Sequence, residues 1–102
     1  MILVFYIPVP SRERGLEIAR TVTKASLAAC GNILGPMTSV YEWKGEVCEE
    51  EEWVLILKTK AESKAALRKK ILELHPYDCP CVLSWDAEAN RDFAEWVGDQ
   101  TQ

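Results

Sequence analysis

Ile2 to Ile7 is an unbroken run of aliphatic, aromatic and β-branched side chains, the mark of a strand covered on both faces or nearly so. Pro8 and Pro10 are expected to end it, and Ser11 to cap a helix whose first turn carries Glu13 where the dipole favours an anion. Leu16, Ala19, Val22 and Ala25 or Ser26 recur at helical spacing and predict a core-facing stripe through about Ala29, with Gly31-Asn32 as the stop. Ile33-Leu34 and Met37 to Trp43 read as one strand broken at Gly35-Pro36, where a bulge or kink is expected because Pro cannot donate to a ladder. Lys44-Gly45 makes the hairpin turn. The return strand starts near Glu46 and culminates in Trp53 to Thr59, too apolar for a one-sided surface strand. Leu67, Ile71 and Leu74 fall at i, i+4 and i+7, predicting a helix from about Ser63 to Leu74. Pro76 stops it and biases His75 out of helical geometry. Cys79 to Trp85 reads as a short fourth strand, and Asn90 as the cap of a last helix with Phe93, Trp96 and Val97 on one face.

The order β-α-β-β-α-β with an added C-terminal helix is the split βαβ, or ferredoxin-like, arrangement of the α+β class. One domain over residues 1–102 accounts for the whole pattern. Right-handed crossovers place both main helices on one face of a four-stranded antiparallel sheet, leaving the other face without cover. Since the strands read as apolar on both sides, a second copy of the chain is the simplest partner for that face, and a homo-oligomer is expected.

Composition narrows the function. A hydrophobic share of 48% with 27% charged residues is ordinary for a globular chain. A net charge of −4 argues against a nucleic-acid face, which needs clustered Lys and Arg. Lys64, Arg68, Lys69 and Lys70 do gather, but on the solvated side of a helix. Glu49 to Glu52 invite a cation-binding reading, but four adjacent carboxylates entering a strand alternate in direction, a pattern that more often keeps a sheet edge soluble than chelates. The apolar start lacks a basic segment before it and a small-residue cleavage site after it, and is far too short to span a bilayer. A cytoplasmic protein with reduced thiols and no membrane partner is therefore expected.

The densest chemistry is in "ELHPYDCPCVLSW", Glu73 to Trp85, which holds the only histidine and two of four cysteines. On a strand, Cys79 and Cys81 would point the same way; with His75 they make three soft or borderline ligands for copper or zinc. The competing reading packs both thiols into the core as small hydrophobes. No Gly-rich phosphate loop, nucleophile elbow or second histidine is present, so an enzyme is not expected.

Three segments, Leu27 to Ile33, Thr38 to Glu46 and Leu74 to Pro80, together resemble the CutA family of divalent-cation tolerance proteins. Lys58-Thr59, Asn90, Phe93 and Trp96 fall in register with it. The resemblance implies a cytoplasmic ferredoxin-like protomer assembled as a trimer, broadly like the PII signalling proteins, binding copper or another divalent ion without enzymatic activity. By position it implies that Tyr41, Trp43, His75 and Tyr77 line a cleft between subunits, and that Cys30 matches the family's cysteine after the first helix. Two departures stand out. Ile7 occupies the place of a cysteine that some relatives carry, and Cys79-Pro80-Cys81 replaces the usual Val-Pro-Glu. A metal site at His75, Cys79 and Cys81 would then be softer than the family's. The alternatives are a PII-like sensor taking a small metabolite or anion in the cleft, and a passive trimeric scaffold.

Overall fold

The structure, a computed structural model, describes residues 1–102. Eight residues of apolar chain make the first strand, β1 (Ile2–Val9), and Ser11 then caps helix α1 (Arg12–Lys24), its side chain accepting from the Arg14 N–H. Strands β2 (Cys30–Trp43) and β3 (Glu46–Thr59) form a long hairpin turned at Lys44-Gly45. A short 3₁₀ turn at Ala61–Ser63 leads into α2 (Lys64–Leu74), followed by β4 (Leu83–Ala87) and α3 (Arg91–Gln100). The sheet order is β2-β3-β1-β4 and every pairing is antiparallel. This is the expected α+β, split βαβ arrangement.

Alternation along β1 divides the sheet into two faces. Leu3, Phe5, Ile7 and Val9 are buried and meet Leu55 and Leu57 of β3, Ile18 and Val22 of α1, and Leu67 and Ile71 of α2 in the main core. At roughly 1.5–3 kcal/mol per fully buried aliphatic or aromatic side chain, this layer dominates stability. On the opposite face α3 covers one end, where Val97 packs with Ile2 and Ala29 against Val4 and Ala87. The remainder of that face carries Tyr6, Leu34, Ile56, Leu83 and Trp85, with Leu34, Leu83 and Trp85 about half exposed.

Several boundaries differ from expectation. Pro8 does not end β1; it pairs with Val54. Strand β4 reaches only as far as Leu83 opposite Tyr6, so the side of β1 on which residue 8 would offer an N–H has no ladder to break. Helix α1 stops at Lys24, five residues early, because Ser26 takes a positive φ and the Leu27 and Ala28 N–H groups close back on the Val22 carbonyl. Gly31-Asn32 is accordingly part of β2 and not a helix stop. The fourth strand starts at Leu83, not Cys79, since Pro80 removes a donor from the preceding segment and His75 ties that segment to the Pro8 carbonyl. The predicted break at Gly35-Pro36 is present: Leu34 faces Val54 while Met37 faces Glu52, one extra residue in β2. Trp96, expected on the buried face of α3, is exposed beside Phe93.

Candidate functional site

β1 pairs only with the Trp53–Thr59 part of β3, and β4 pairs with β1 alone. The other half, Glu46–Glu52, is paired with Met37–Trp43 alone and projects as a two-stranded arm, giving the molecule extents of 45 × 24 × 21 Å. Register and alternation put Met37, Ser39, Tyr41 and Trp43 on one face of the arm with Glu46, Cys48, Glu50 and Glu52. Glu49 and Glu51 point to the other face. The acidic run is thus split by the pleat, as its alternation predicts, and half of it is committed to the side where the 75–82 segment lies.

His75 fixes that segment. At 7% exposure, it sits at the C-terminal cap of α2 with extended backbone, forced by the proline that follows. Its Nε2 lies 2.8 Å from the Pro8 carbonyl oxygen, and its Nδ1 accepts the Tyr77 N–H at 3.2 Å. These partners define the neutral tautomer with hydrogen on Nε2, and both ring nitrogens are used. The ring of Tyr77 packs on that of His75 at 4.7 Å. Tyr77 then donates its phenolic hydrogen to Glu52 Oε2 at 2.6 Å, while Tyr41 donates to Glu50. Burial, then the Glu52 hydrogen bond and the charges of Glu52 and Glu50, hold the Tyr77 phenol well above its ordinary range.

Together these groups enclose a cleft of about 410 Å³ lined by Pro8, Tyr41, Glu50, Glu52, Tyr77, Cys79 and Cys81. A second depression of about 250 Å³ shares Tyr41, Tyr77 and Cys79 and adds Trp43 and Asp78. Neither is lined by Lys or Arg, and the ion pairs of the chain, Arg14–Glu17, Lys70–Glu73 and Arg91–Glu95, lie elsewhere. The site offers oxygen and sulfur donors in a field that favours a cation.

Of the residues singled out in the sequence, the structure gathers Tyr41, Trp43, Tyr77, Cys79 and Cys81 at these adjoining depressions within one chain. Both thiols are exposed, so neither fills the core of the protomer. His75 faces Pro8 and the Tyr77 backbone, and the ligand set of His75, Cys79 and Cys81 is not assembled. No group of three or more His, Cys, Asp or Glu side chains stands close enough to hold a metal ion. Cys30 lies apart, in a shallow depression of about 520 Å³ beside Arg20 and Lys24 of α1. Glu50 and Glu52 are lining residues whose run the sequence assigned to edge solubility in preference to cation binding. The i, i+2 spacing that places them on one side of a strand was visible, but nothing in it pointed to a cleft.

The CutA1 divalent ion tolerance protein family model matches residues 3–100. The divalent-cation tolerance protein CutA of Thermus thermophilus is 38% identical over 99 residues, 96% of this chain and 96% of that protein. The chloroplastic protein CutA of Arabidopsis thaliana is 36% identical over 98% of this chain, which spans 56% of its length. Among solved structures, the divalent ion tolerance protein CutA1 of Ehrlichia chaffeensis superposes with a TM-score of 0.96 at 35% identity, covering 99% of this chain and 95% of that one. Matches of this extent, on a chain whose fold and HPY turn were already in place, make it a member of the CutA1 divalent ion tolerance protein family.

Proposed function

We propose that the protein is a non-enzymatic, homotrimeric cation-binding protein that holds a divalent metal ion at the Glu50, Glu52, Cys79 and Cys81 cleft. The observation that carries this reading is that two carboxylates and two thiols line one cleft that has no basic side chain. Copper suits the mixture best, because Cu(II) heads the affinity order for divalent ions and thiolates add softness. The donors fit in kind but not in number: with no set of three within one chain, a four-coordinate ion needs further ligands from water or an adjoining subunit.

The trimer is supported by the arm, since an isolated two-stranded hairpin is marginal in water, and by the half-exposed Leu34, Leu83 and Trp85 on the sheet face. Four free thiols suit a reducing compartment such as the cytoplasm. His75 enters this proposal as the residue that positions Tyr77 and the thiol-bearing segment, not as a ligand. A PII-like sensor of small metabolites is the second reading, favoured by the aromatic walls Tyr41, Trp43 and Tyr77. An anionic ligand would meet Glu50, Glu52 and Asp78 there without a counter-charge.

Calorimetric titration of the assembled protein with Cu(II) and Zn(II), repeated for Glu52→Gln, tests the metal reading. The expected result is saturable Cu(II) binding that the substitution weakens about tenfold or more. Cu(II) binding indifferent to Glu52→Gln would remove the cleft from consideration.

A further inference from the structure

The segment Cys79-Pro80-Cys81 has a donor set of its own. Both thiols are free and exposed, both line the same cleft, and neither belongs to a strand or helix. Pro80 between them fixes one backbone angle and removes one N–H, which narrows the conformations over which the two sulfurs can part. The neighbouring imidazole is already engaged, because both ring nitrogens of His75 are hydrogen-bonded, to the Pro8 carbonyl and the Tyr77 N–H. The nearby carboxylates of Glu50 and Glu52 are hard oxygen donors, poorly matched to a soft monovalent ion. No third donor completes a cluster.

Coordination number then selects the ion. Zinc in structural sites takes four ligands, and hard divalent ions take six or more oxygens. Two thiolates with nothing third are the complete donor set of a two-coordinate d10 ion, and thiolate softness selects Cu(I) among biological metals. We propose that Cys79 and Cys81 form a two-coordinate site for monovalent copper. It deepens the cation-binding reading and rests on the same cleft, but requires neither a carboxylate nor a second subunit. Each thiol loses its proton as its sulfur–copper bond forms, so one Cu(I) enters, two protons leave and no electron moves.

The test is anaerobic titration of the whole protein with Cu(I) against a chromophoric Cu(I) chelator, on the parent chain and on C79S, C81S, C30S and C48S. One Cu(I) per chain is expected, weakened about 100-fold or more by C79S or C81S and unchanged by C30S and C48S. X-ray absorption at the copper edge should show two sulfur neighbours and no nitrogen. Binding that survives C79S and C81S, or a nitrogen neighbour, overturns the proposal. Parallel Cu(II) calorimetry keeps the two readings apart. Cu(II) bound without Cu(I) sinks the two-thiolate site alone, whereas Cu(I) bound without any divalent ion sinks the divalent reading alone.

Discussion

A buried, doubly hydrogen-bonded imidazole connects the end of α2 to β1 and starts the chain of contacts that ends at Glu52. Replacing His75 by Ala leaves the Pro8 carbonyl and the Tyr77 N–H without partners, so a loss of about 1–3 kcal/mol is expected in urea denaturation. The same variant should let the 75–82 segment loosen and lower the metal affinity proposed for the cleft indirectly. Tyr77 gives a pH signature. Its folded value lies above the unfolded one, so the folded state retains a proton that the unfolded chain releases above pH of about 10. Its contribution is therefore fully present below that pH and is lost as pH rises through the folded value. Comparing unfolding free energies at neutral and strongly alkaline pH should show a steeper alkaline loss in the parent than in Tyr77→Phe. Equal slopes would mean that neither burial nor the acidic neighbours raise the phenol in solution. What could be read at this scale from the sequence was residue type and spacing; what could not was partnership. A lone histidine beside two cysteines looks like a ligand until the Pro8 carbonyl, 67 positions away, is seen to claim it.

Among the elements, the hairpin β2–β3 carries the site and also a tightly packed bulge. At the bulge, a Cβ on Gly35 would lie 2.7–3.0 Å from the ring of Trp53, which is half-buried and cannot swing aside freely. Gly35→Ala is expected to destabilise the chain by about 1–3 kcal/mol through overpacking, measurable by chemical denaturation. The hairpin, its turn and its break were legible because Gly, Pro and alternating apolar residues act locally. The ends of α1, β1 and β4 were not. Pro8 survives inside a strand because β4 is too short to need its missing donor, and β4 is short because the preceding segment is tied elsewhere. Both facts belong to tertiary pairing, and no window of sequence contains them.

At the scale of the whole molecule, the apolar remainder of the second sheet face and the unsupported arm ask for neighbours. A charge placed on that face should be tolerated by a protomer and not by an assembly. Trp85→Glu, at a position 48% exposed, is thus expected to leave the far-ultraviolet circular dichroism intact while shifting sedimentation equilibrium from the proposed trimer to monomer. A trimer that persists would show that copies meet on another surface. The extra residue at Gly35-Pro36 bears on the same assembly. Before the break the even-numbered positions of β2 share a side with the even positions of β3; after it the odd ones do. The bulge is therefore a phase shift of half a pleat. Deleting one residue there would turn Tyr41 and Trp43 to the reverse side of the arm while Glu50 and Glu52 stay put, dividing the aromatic walls from the carboxylates without changing any of the residues that make the cleft.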